Sequence, residues 1–198
     1  YRMQSSVPGL MDIKRETSET LEAYGAKLGA TSLANNCLLA RRLVEKGVRF
    51  VQLFDQGWDH HSGIFASIPK KARELDRPVA ALIGDLRERG LLDEVLVIAM
   101  GEFGRTPTIG TQDGYTGGRN HWPQVMSLTL AGGGFRHGQV IGASDAEGGQ
   151  PAERPVTPGD LAATVYHHFG VPLDATFNDL KNRPRFIVEN GAPLKELI

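Results

Sequence analysis

Cysteine is nearly missing from this chain. Among its 198 residues there is one, Cys37, so an internal disulfide framework and a zinc site built on several thiolates are both excluded. An excess of either charge is missing as well: 22 Lys and Arg stand against 23 Asp and Glu, for a net charge of -1. That balance leaves no basic footprint for nucleic acid or for an anionic membrane surface. Long apolar runs are missing too. The longest, Val95 to Met100, is far shorter than the ~20 residues a bilayer-spanning helix needs. What the chain does have is 40% hydrophobic and 23% charged residues, enough for a sizeable core and against wholesale disorder. Glycine is the outlier at 24 residues, well above the ordinary ~7%, which points to long loops held close to something. The opening Tyr1-Arg2-Met3-Gln4 carries neither an initiator Met nor a signal-peptide pattern, so a fragment or processed product is expected.

Periodicity divides the chain into elements. A weakly helical stretch from Glu16 to Tyr24 stops at Gly25. Asn35 or Asn36 can cap a helix to about Lys46, whose apolar positions Cys37, Leu38, Ala40, Leu43 and Val44 recur at helical spacing. Val48 to Phe54 alternates like a strand. A helix is expected from Pro69 to Arg89, with a kink or break at Pro78, and Glu94 to Met100 reads as a second strand buried on both faces. Strand, helix and strand with a crossover of this length make a βαβ unit, so these two strands are expected to be parallel. A third strand, Val125 to Ala131, must run antiparallel to them if His121 is to reach the edge where they end. Pro158 after Thr157 opens a helix to about Phe169, and the tail from Val171 reads as loop. The expectation is one α/β layer system.

Polar side chains collect in the loops beyond the two predicted strands, the edge at which open α/β sheets bind ligands. Asp55, Trp58, Asp59, His60 and His61 follow the first. Glu102 and Arg105 follow the second, and Arg119, Asn120 and His121 precede the third. Asp59, His61, Glu102 and His121 form a mixed carboxylate and imidazole set suited to Zn²⁺, Mn²⁺ or Fe²⁺ rather than Ca²⁺ or Mg²⁺. A metal so held can polarise a phosphoryl or sulfuryl oxygen or lower the pKa of bound water, and Arg105 offers a planar fork for a tetrahedral oxyanion. Simpler readings stay open. The Trp-Asp-His-His loop can be a capped surface turn, Glu102 can cap its own Gly-rich turn, Arg105 can pair with a surface carboxylate, and His121 can be a packed structural residue. His167 and His168 fall in a helix as solvated or half-buried groups, and Cys37 falls on an apolar helix face as core.

Three motifs then become recognisable. Val97-Ile98-Ala99-Met100-Gly101-Glu102-Phe103-Gly104-Arg105-Thr106-Pro107 resembles a signature of a bacterial family, domain of unknown function 1501. Gly57-Trp58-Asp59-His60-His61 and Gly118-Arg119-Asn120-His121-Trp122-Pro123 resemble its companion motifs. That family is similar to sulfatases and alkaline phosphatases. The resemblance implies a mixed, mainly parallel sheet between helices, with residues 1–198 as the C-terminal portion of a single sulfatase-like domain. It implies export to the periplasm in many members. It also implies two metals beside a nucleophile that lies outside these residues. Asp59 and His61, completed by His121, match the ligands of one metal. Glu102 falls where an Asp of the second metal is usual, and Phe103 falls where phosphatases place a His. The expected function is metal-dependent hydrolysis of a small-molecule or carbohydrate sulfate or phosphate ester, with Arg105 holding the oxyanion. The alternative is a catalytically silent binding or scaffold domain.

Overall fold

Short polar caps decide where the helices begin. In a computed structural model that describes residues 8–112 and 114–198, the helices that organise the chain are α1 (Ser18–Tyr24), α2 (Leu33–Glu45), α3 (Ile64–Glu88) and α4 (Pro158–His168). The strands are β1 (Leu96–Ala99), β2 (Gly104–Arg105), β3 (Gly110–Gln112), β4 (Tyr115–Gly118), β5 (His121–Trp122), β6 (Thr129–Gly132), β7 (Ala143–Ser144), β8 (Pro151–Glu153), β9 (Thr176–Asn178) and β10 (Pro184–Phe186). The opening tetrapeptide noted above lies outside the described residues. The chain divides into two compact units, one formed by Tyr1–Val95 and Thr108–Asn120, the other by Leu96–Pro107 and His121–Ile198.

In the first unit the Thr17 hydroxyl accepts from the Thr20 backbone N–H to start α1, and Gly25 ends it in the left-handed region at φ +70°. Ser32, one turn earlier than expected, caps α2. Asn35 instead ties down the preceding turn: its amide accepts from Lys27 N–H at 3.0 Å and donates to the carbonyls of Lys27 and Ala30 at 2.8 and 2.7 Å. Helix α3 starts a turn before Pro69 and continues through Pro78 without a break. Pro78 leaves the carbonyl of Glu74, an exposed residue, without a helical donor. Helices α1 and α2 both pack on α3 around Tyr24, Cys37, Leu38, Leu82 and Leu86, all buried. Arg41, 2% exposed, crosses this core. It pairs with Glu16 at 2.5 Å, Glu45 at 2.7 Å and Asp85 at 3.0 Å, while the Tyr24 hydroxyl donates to Asp85 at 3.0 Å. Burial alone would raise the Glu16 pKa; the hydrogen bonds from Arg41 and Arg42 outweigh it and hold the carboxyl below the usual range. Strands β3 and β4 form an antiparallel hairpin in this unit.

In the second unit β1 pairs antiparallel with β6, in the register Leu96↔Gly132 to Ala99↔Thr129. Strand β2 pairs with β5, β7 with β8 and β9 with β10, again antiparallel. Helix α4 has a reciprocal cap: Thr157 Oγ1 accepts from Asp160 N–H, and the Asp160 carboxylate accepts from Thr157 N–H. The tail is more ordered than a loop. Besides the β9–β10 hairpin it buries Leu194 and Leu197.

The expected mixed, mainly parallel sheet between helices, with an alkaline-phosphatase-like core, is therefore corrected. Among the described residues the sheets are short antiparallel two-stranded pairs. Val48 to Phe54 forms no strand, and Phe50 and Phe54 are 70% and 76% exposed. The reason is physical. Alternation specifies which faces a strand would present, but an extended segment becomes a strand only when a neighbour takes up its N–H and C=O groups. Without the first strand there is no βαβ unit. The antiparallel relation expected between the segments at 94–100 and 125–131 does hold, as β1 with β6. No helix among the described residues is long and apolar enough to cross a membrane.

Candidate metal centre

The first unit supplies a loop, residues 55–63, with almost no regular structure of its own, so its shape comes from specific ties. At its start the Trp58 indole N–H donates to Asp55 Oδ2 at 2.7 Å, and His60 N–H donates to the Trp58 carbonyl at 3.0 Å. At its far end Arg119 N–H donates to the His60 carbonyl at 3.0 Å, and Ser62 bridges Gly117 of β4 in antiparallel fashion. Gly118 lies so close to this backbone that a β-carbon there would overlap the His61 carbonyl. The loop and β4 thus fit together only because residue 118 has no side chain.

Two predicted ligands meet in this loop. Asp59 is exposed, and its Oδ1 lies 2.9 Å from His61 Nε2. The other nitrogen of His61, Nδ1, lies 3.1 Å from Asn120 Oδ1. With its proton on Nδ1 the ring donates to Asn120 and turns the Nε2 lone pair towards Asp59, the tautomer that a shared cation requires. Donor atoms bound to one metal at ~2.0–2.2 Å stand about 2.8–3.1 Å apart at a right angle and about 3.3–3.6 Å in a tetrahedron, so the pair fits two neighbouring ligands after a small opening or at an octahedral edge. The ordering of imidazole by a partner on its far nitrogen is the usual outer support of a metal-binding His. His60, between the two, has its Nε2 shielded from solvent with no hydrogen-bond partner among the described residues.

The other predicted residues lie in the second unit. Strands β2 and β5 set Arg105 opposite His121. His121 is exposed and its ring centroid lies 4.5 Å from that of Phe103, tilted by 48°. The neighbouring Trp122 is fixed by its indole N–H, which donates to the Gly149 carbonyl at 2.7 Å. Gly104 has no room for a β-carbon against the Val125 carbonyl, so this pairing of strands depends on glycine as the first one does. Glu102 is exposed in the bend before β2. Within this unit no three His, Cys, Asp or Glu side chains converge among the described residues.

A family model described as "Protein of unknown function (DUF1501)" matches residues 1–198. The chain belongs to that family. No curated protein and no solved structure matches it. All three sequence motifs thus stand in a DUF1501 chain. The structure brings Asp59 to His61 and Arg105 to His121, and leaves Glu102 in solvent.

Two residues of this DUF1501 chain carry more of the site than sequence reasoning gave them. Asn120 lies against His61 Nδ1, whereas in the sequence it stands in the Gly118–Pro123 motif with no role of its own. Lys71 holds Asp55 from helix α3. A pair 16 residues apart on a loop and a helix leaves no periodic trace.

Proposed function

We propose that the chain binds one divalent cation of the Zn²⁺, Mn²⁺ or Fe²⁺ class through Asp59, His61 and His121, and that this cation serves hydrolysis of a sulfate or phosphate ester. The observation that carries the reading is the Asp59–His61–Asn120 relay, a carboxylate oxygen and an imidazole nitrogen at 2.9 Å with the second ring nitrogen 3.1 Å from the Asn120 carboxamide. His121 is joined to Asn120 by a peptide bond, so the residue that orients His61 directly precedes the third donor in the chain. One carboxylate and two imidazoles favour a borderline transition metal over Ca²⁺, which prefers oxygen. When bound, such a cation supplies Lewis acidity towards a phosphoryl or sulfuryl oxygen. Arg105, set across from His121, then provides the planar donors that grip a tetrahedral oxyanion. The resemblance of the three motifs to sulfatase-like proteins supports this ester class; the sheet topology does not enter the argument.

A second reading has its own support. Phe103 presents an apolar ring where a two-metal phosphatase has a further ligand, and Glu102 is exposed, which suits a binding domain without turnover. Metal analysis of the wild type, Asp59→Ala and His121→Ala tests the cation. One equivalent in the wild type and a loss of at least tenfold in affinity in both variants is expected. Equal stoichiometric metal in all three would contradict the assignment. Aryl sulfate and aryl phosphate assays on the full-length protein separate the two readings. Metal without turnover on either ester would favour the binding domain.

A further inference from the structure

The loop that carries Asp59 and His61 has to take its position from a rigid element, and the structure shows which one. Lys71 projects from the second turn of helix α3. Its ammonium lies 3.2 Å from Asp55 Oδ1 and 3.1 Å from Oδ2, and 5.5 Å from the centroid of the Trp58 ring. Its aliphatic shaft runs beside the Gly57 α-carbon, where a β-carbon would be 3.8 Å from Cδ and Cε. Gly57 itself is in the left-handed region at φ +88°. The Trp58 indole closes the arrangement by donating to the same Asp55 carboxylate at 2.7 Å. The Lys71 side chain is only 16% exposed, so this pairing is shielded far better than an ordinary surface ion pair.

We infer that Lys71 is a positioning residue for the metal loop, acting through Asp55 and Trp58 to fix the backbone from which Asp59 projects. The inference rests on the metal reading above. The downstream end of the loop is fixed separately by Arg119 and Asn120, so Lys71 and Asp55 supply the upstream restraint. A donor set held at both ends loses less freedom when a cation binds. Removing one restraint therefore weakens binding without removing a ligand.

Zn²⁺ titration of the wild type, Lys71→Met and Lys71→Arg by calorimetry tests this, together with the indole N–H resonance of ¹⁵N-labelled protein. Lys71→Met keeps an unbranched shaft beside Gly57 and removes the charge. It is expected to bind Zn²⁺ about tenfold more weakly at an unchanged helical circular dichroism signal and to shift the Trp58 indole resonance, while Lys71→Arg stays within about threefold of the wild type. Should Lys71→Met fail to fold, Asp55→Asn, which leaves the lysine in place, is expected to show the same loss. Wild-type affinity in Lys71→Met, or in Asp55→Asn where that variant is needed, would overturn the inference and leave the metal reading standing. Equal losses in Lys71→Met and Lys71→Arg would also overturn it. Absence of Zn²⁺ binding by the wild type would remove the metal reading itself.

Discussion

Asn120 and Gly118 show how much of the candidate centre depends on single atoms. The Asn120 carboxamide lies against Nδ1 of His61 and leaves Nε2 facing Asp59. Gly118 allows β4 to lie against the His61 backbone. Gly118→Ala is expected to push that backbone away and lower metal affinity more than tenfold, while the helical circular dichroism signal stays unchanged. Wild-type affinity in Gly118→Ala would show that the loop does not depend on this close approach. At the residue scale the sequence was informative in both directions. Cys37 reads as core from its place on an apolar helix face, and it is buried with burial pushing its thiol up to about 11. Asp59 and His61 read as co-ligands from their donor chemistry and from the motif they stand in, and their side chains lie 2.9 Å apart. Glu102 reads as a fourth donor by chemistry and by motif, and it stands exposed in the bend before β2.

At the scale of elements, helices were legible because their signals are local. Thr157 and Pro158 mark the start of α4, and the structure adds Asp160 as the second half of a reciprocal cap. Charged groups inside the helical core leave no such trace. Arg41 sits among apolar neighbours in sequence, yet it is the centre of ion pairs with Glu16, Glu45 and Asp85. Glu45 is its i,i+4 neighbour on α2, but Glu16 and Asp85 come from two other segments, which no periodic pattern records. These pairs predict a pH dependence whose sign follows from Glu16. Its folded pKa is depressed, so its contribution to stability is present above about pH 4.3, the ordinary glutamate value, and is lost as the pH falls through the folded value. Urea unfolding of the wild type is expected to show falling stability from about pH 5 to about pH 3. Glu16→Gln should be less stable by about 3 kcal/mol near neutral pH, since it leaves Arg41 short of a buried partner, and flatter across the acid range. Parallel stability curves for the two proteins through that range would contradict the role given to Glu16.

At the scale of the whole molecule, strand pairing was the least legible feature. Val48 to Phe54 has the alternation of a strand, and Leu96 to Ala99 has the apolar character of one; only the second forms a ladder, with Thr129–Gly132. Alternation is a property of one segment, whereas a ladder needs two, and a lone segment's pattern does not name its partner. The motifs, in contrast, keep their meaning without the sheet, because the loop ties of Asp59 and His61 and the β2–β5 pairing of Arg105 with His121 are local to each unit. The account as a whole depends on a cation shared by donors from residues 59, 61 and 121. An anomalous difference map from crystals grown with Zn²⁺, recorded on both sides of the zinc absorption edge, tests it most directly. A single strong peak at ~2.0–2.2 Å from an Asp59 oxygen, His61 Nε2 and a His121 ring nitrogen is the predicted result. A map with no peak bonded to these three side chains, or with zinc bound only elsewhere on the protein, would contradict it.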